Sequence, residues 1–183
     1  YEGIDGEEMH EIRSLTINDI DMENNIAKLI ALDGATREKI ISDEFKNIAF
    51  FANEEKEYIT NNGMESPSGR NFKPKKLANT KYILRPVHGV GMDYNDIMKL
   101  GTFHQKMVKI RRYIEYPFVS IQSIADSGMI HRIIHLTEKH GLTEPTSEIF
   151  HMIGHPNEYN LSINSIYKLM DKYKLAISLK NFQ

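Results

Sequence analysis

The apolar positions alternate between helical and strand spacing in a readable order. Met9, Ile12 and Leu15 recur at helical spacing behind the acids Glu7 and Glu8, which suit a helix N-terminus. The run Ile26-Ala27-Lys28-Leu29-Ile30-Ala31-Leu32 reads as a strand. Asp33-Gly34 is a hairpin turn signal, and Lys39-Ile40-Ile41 reads as the return strand. Ser42 is a good N-cap for a helix from Asp43, with Phe45, Ile48, Ala49 and Ala52 on one face. Asn61-Asn62-Gly63 and Ser66-Pro67-Ser68-Gly69 form loops, followed by a basic loop from Arg70 to Lys76. Lys81 to Leu84 looks like a short strand ended by Arg85-Pro86.

The second half is helical. A helix from about Tyr94 to Tyr113 would turn Ile97, Leu100, Met107, Val108 and Ile110 inward, and Tyr116-Pro117 ends it. Shorter helices follow over Val119–Ala125, Met129–His140, Thr146–Ile153 and Ser162 to about Leu179, with Gly141 and Gly154 as C-terminal caps. The expected class is α+β, mainly helical, with one small β-hairpin near the start.

Composition narrows the field. The chain has 183 residues, enough for one domain with a core. It holds no cysteine, so disulfides and thiolate metal sites are excluded. No apolar run approaches the roughly 18 residues of a membrane span. The net charge is −2, but it is unevenly spread: residues 1–60 carry −9, residues 61–135 carry +7 and the remainder is neutral. A basic middle can form one face for phosphates, and equally a solvated surface balanced by the acidic segment. His131 and His135 stand at helical i, i+4 spacing, yet no carboxylate completes a zinc pattern, so no metal or cofactor is expected. Gly89-Val90-Gly91 lacks the third glycine of a nucleotide loop and reads as a turn.

The stretch Gly6 to Leu15, followed by Asp19-Ile20-Asp21, resembles the opening of the catalytic domain of tyrosine recombinases (phage integrases). Met152-Ile153-Gly154-His155 resembles that family's Leu-Gly-His, and Ile166-Tyr167-Lys168 its tyrosine helix. The resemblance implies a recombinase catalytic-domain fold over residues 1–183. It also implies a second, DNA-clamping domain preceding this segment in the full-length protein. The family holds a scissile phosphate with two arginines and a histidine or tryptophan. A hairpin lysine and a further histidine move protons, and a tyrosine attacks phosphorus.

Aligned on Gly6 and Glu11, the first arginine position falls on Glu8 and the hairpin lysine position near Asp33. Arg37 and Lys39 stand close by as a shifted cation. The His-x-x-Arg positions fall on Gln122 and Ala125. His155 and Tyr167 keep their types, although a short insertion within Pro156–Leu161 is needed to bring Tyr167 into register. Acidic or neutral groups where phosphate should be clamped argue against strand cleavage. The implied function is duplex binding at operator-like sites by an inactive recombinase fold, as in degenerate phage relatives that act as repressors. Candidate DNA contacts are Lys73, Lys75, Lys76, Lys81, Arg85, Lys106, Lys109, Arg111, Arg112 and Arg132.

The resemblance further implies a host-cytoplasmic, nucleoid-associated protein without a membrane segment. It also allows homo-oligomers through exchange of the C-terminal helix. Two rivals stay open. One is an active recombinase using Arg37 or Lys39, Arg132, His155 and Tyr167. The other is a protein-interaction module working through the acidic first 60 residues.

Overall fold

The structure is a computed structural model that describes residues 2–4, 6–59, 73–89 and 97–180. The chain forms two compact units, one of Asp5–Pro117 and one of Tyr1–Ile4 with Phe118–Gln183.

In the first of these, Glu7–Met9 is a 3-10 turn and α1 spans only His10–Ser14. The single helix expected over Glu7–Leu15 is broken because Glu8 and Met9 take left-handed backbone, at φ 53° and 56°. Arg13 holds this break in place. It is buried, and its Nε donates to the Glu8 carbonyl at 3.0 Å while its guanidinium also donates to the Met98 carbonyl at 2.7 Å. Strands β1 (Ile20–Asp21), β2 (Ile26–Ile30) and β3 (Thr36–Ile40) form an antiparallel sheet in that order. The return strand therefore starts earlier than the apolar pattern indicated.

The β2–β3 turn is the one Asp33-Gly34 signals. Gly34 N–H donates to Ala31, Asp33 accepts from Ala35 N–H, and Gly34 has φ 85°. Alternation puts Ala27 and Leu29 of β2 in the core. Opposite them β3 points Lys39 and Arg37 inward. Inward charges on an edge strand discourage pairing with foreign strands.

Helix α2 (Asp43–Glu54) starts at Ser42, whose hydroxyl accepts from Phe45 N–H at 3.1 Å. Ala49 is buried and Phe45 and Ala52 are half-buried, but Ile48 lies 59% exposed and Phe51 67% exposed. A two-stranded ladder of β4 (Glu57–Tyr58) and β5 (Lys75–Lys76) follows, where the sequence suggested only a basic loop. Lys81–Leu84 is no strand; Tyr82 makes a lone bridge to Thr16. Helix α3 spans Leu100–Tyr113 and buries no residue fully. Its half-buried stripe is Leu100, Phe103, Met107 and Arg111. Val108 and Ile110, expected inward, are exposed, because they lie off that 3.6-residue repeat. Tyr94 to Asp96 lie outside the described residues.

The other unit is a helical core. Helix α4 runs unbroken over Ile121–Lys139, not as two helices. Gly128, between the two segments expected, is buried and continues the helix. Ser120 opens α4 by a capping box with Ser123. Gly141, at φ 66°, closes it: Gly141 N–H donates to Glu138 and Leu142 N–H to Thr137, the paired bonds of a Schellman end. Helix α5 spans Ser147–Gly154 and α6 Ile163–Lys180. Met129, Ile133, Ile149, Phe150, Ile153, Ile166 and Leu169 join the three into one core. Gly154 is not the expected C-terminal cap. It ends α5 buried against α6, where an added Cβ would stand 2.5 Å from Ile166 Cδ1.

Candidate nucleic-acid interface

The residues that carry the recombinase resemblance have physical roles. Gly6 has φ 59°, and a Cβ there would meet Glu11 Cγ at 2.9 Å. Glycine thus lets the Glu11 side chain pass. Glu11 is 3% exposed and receives Arg37 in a two-pronged pair, with both N–H···O distances 2.7 Å. Asp19 accepts from the Thr16 N–H at 2.9 Å and from its hydroxyl at 2.6 Å, Ile20 is buried, and Asp21 builds the β1–β2 turn. Asp21 accepts from the Asn24 side chain and from the Asn24 and Glu23 N–H groups, which holds its carboxyl below the usual range.

The residues that the resemblance aligns with the family's catalytic groups are placed as follows. Glu8 is exposed, with its carboxylate 3.8 Å from Arg13. Asp33 is a turn former. Gln122 is exposed and donates to Asp126 at 2.9 Å. The other Asp126 oxygen accepts from Lys172 of α6 at 2.6 Å. Ala125 packs against the α4–α6 core. His155 is exposed, its Nδ1 accepting from Asn157 N–H at 3.2 Å. Tyr167 is 59% exposed, since the neighbouring Ile166 takes the inward position on α6. Among the described residues no hydrogen bond reaches its hydroxyl. Arg132 pairs with Glu158 at 3.5 Å.

The candidate DNA contacts divide sharply. Arg85 turns inward, donating to the Ala52 carbonyl at 2.5 Å and to the Glu55 carbonyl, so it caps the end of α2. Lys81 is exposed, with Nζ 5.2 Å from the Tyr82 ring centroid. Lys73, Lys109 and Arg112 are exposed, and Arg111 belongs to the inward stripe of α3.

Lys75, Lys106 and Tyr58 come together. Tyr58 and Lys75 are direct cross-strand partners and so share a face of the ladder. Lys106 of α3 reaches that ring, with Nζ 5.2 Å from its centroid. Burial, and then the charge of Lys109, lower the Lys106 pKa from its ordinary value. Lys106 is thereby held between an aromatic ring and a like charge. Lys76 and Glu57 occupy the opposite face.

Tyr58 carried no signal in the sequence. A lone tyrosine beside acids becomes informative only once β4 pairs with the basic β5.

A three-stranded sheet with its β2–β3 hairpin, followed by a mainly helical body that ends in a tyrosine-bearing helix, defines a tyrosine-recombinase-like catalytic domain. Over residues 1–179 the chain matches the family model described as "MrpR, C-terminal catalytic domain", and it belongs to that family. No curated protein matches the chain. Among the described residues no helix is long and apolar enough to cross a membrane.

Proposed function

We propose that the chain binds double-stranded DNA without cutting it and acts as the recombinase-like body of a phage repressor. In kind it would be a regulator such as the one that maintains lysogeny in SPβ-type Bacillus phages. The observation that carries this reading is a contrast within the site residues. Lys75 and Lys106 meet at Tyr58, with Lys109 acting on Lys106, while Glu8, Asp33, Gln122 and Ala125 stand at the positions aligned with the family's catalytic cations and histidine. Cation contacts to the backbone supply affinity and register, while sequence is read elsewhere. Without cations around the scissile phosphate, an attacking tyrosine has little to stabilise the pentavalent state.

The test combines two measurements on the full-length protein. Fluorescence anisotropy with a labelled operator duplex should show binding that weakens as salt rises. A nicked suicide duplex should yield no covalent adduct on denaturing gels. An adduct lost in Tyr167→Phe would replace the repressor reading with a second one. In that reading the chain is a site-specific recombinase using Tyr167, favoured by the family's description as a catalytic domain and by the retained His155 and Tyr167.

A further inference from the structure

Helix α2 carries an apolar patch on its outward side. Its inward stripe is Phe45, Ala49 and Ala52. Ile48, Phe50 and Phe51 lie off that stripe, each about half exposed or more. Phe51 joins the three. It stands one turn from Ile48, and its ring meets that of Phe50 edge-on, with centroids 6.0 Å apart. A large apolar side chain buries about 150–250 Å² when covered, so the three leave on the order of 300 Å² open. Apolar patches of that kind, rimmed by charge, mark interaction sites. Both ends of α2 are tied, by the Ser42 cap and by Arg85 on the carbonyls of Ala52 and Glu55, so the patch stands on a fixed scaffold.

The rim is acidic. Glu44 lies one turn before Ile48, Glu54 one turn after Phe50 and Glu55 one turn after Phe51, and all three are exposed. The single cation of α2, Lys46, faces the β1–β2 turn instead. Its Nζ donates to Asn25 Oδ1 at 2.5 Å and to the Met22 carbonyl at 3.1 Å, and stands 2.9 Å from Asp43. An apolar face ringed by carboxylates repels DNA phosphates, anionic lipid headgroups and the same face of a second copy. It complements a segment that is apolar on one side and cationic around it.

We propose that α2 docks a basic amphipathic helix of another protein. Apolar side chains one turn apart on that helix seat on Ile48 and Phe51, and its lysines or arginines face Glu44, Glu54 and Glu55. The probe is a fluorescein-labelled helical peptide of about 18 residues, leucine along one face and lysine elsewhere. Its anisotropy should rise saturably with the full-length protein, and a peptide with glutamate in place of lysine should not bind. Phe51→Gln should weaken the lysine peptide about tenfold, the loss of an aromatic anchor, with an unchanged melting temperature because the ring is exposed. Glu44→Gln with Glu55→Gln should flatten the salt dependence of peptide binding. Ile110→Gln, an exposed apolar position on the cation-rich α3, should leave the peptide bound as before. Equal binding of both peptides, or an unaffected Phe51→Gln, overturns the proposal. A lower melting temperature of the full-length Phe51→Gln protein overturns it by showing the face already covered within the protein. Conversion of a dimer to a monomer by Phe51→Gln in sedimentation gives the face to a second copy, and weaker duplex binding gives it to DNA. Either result also overturns the proposal. The peptide titration contains no DNA, so its failure and the failure of the repressor reading are separate results.

Discussion

The cations on α4 and α6 and those at Tyr58 live in different company. In the α4–α6 unit, Arg132 faces Glu158 and Lys172 faces Asp126, so carboxylates oppose both. Around Tyr58 in the other unit, Lys106 meets an aromatic face and another lysine. Paired surface cations change little when a polyanion arrives, whereas gathered ones gain from it. A charge count along the chain does not distinguish these cases. The partner does.

The comparison is best broken where a cation is structural. Glu11→Ala takes from half-buried Arg37 the carboxylate that it grips with two bonds, and the loss of that partly buried pair costs about 3 kcal/mol. Urea denaturation should show that loss, the largest effect foreseen. A smaller but definite cost is expected for Gly154→Ala, which presses a methyl group into Ile166. Overpacking of this kind costs about 1–3 kcal/mol and should appear as a lower urea midpoint. Neither change involves the Tyr58 cluster.

The next variants sharpen the contrast directly. Arg132→Gln removes a cation already opposed by Glu158. It should leave the salt dependence of duplex binding unaltered and change stability by no more than about 1 kcal/mol. Lys106→Met should move two properties in opposite directions. Burial holds the folded-state pKa of Lys106 below its unfolded value, so the folded chain binds fewer protons in the window between them. Stability therefore rises with pH through that window, and below it the buried charge is a net cost. The methionine variant should melt at a higher temperature at neutral pH, lack that rise, and bind duplex more weakly.

Parts of this were legible in the chain. Ser42 as a cap, Asp33-Gly34 as a turn and Gly141 as a helix end are local chemistry, and local chemistry is written in neighbouring residues. Gly6, Glu11 and Asp19-Ile20-Asp21 carried the fold because each meets a steric or hydrogen-bonding demand there. Gly154 misled, because a glycine buried for close packing looks the same in sequence as one that ends a helix. Arg85 read as a surface cation because its partners are backbone carbonyls of a helix distant in sequence. The meeting of Lys106 with Tyr58 depends on β4–β5 pairing and on the packing of α3, neither of which leaves a periodic trace.

The most direct test is the slope of log affinity against log salt for an operator duplex, comparing the full-length protein with a Lys75→Gln, Lys106→Met double variant. If these lysines contact backbone phosphates, the slope should become shallower by about 0.9 for each, roughly 1.8 in all. A slope unchanged by the double substitution would contradict the account and move DNA contact away from Tyr58.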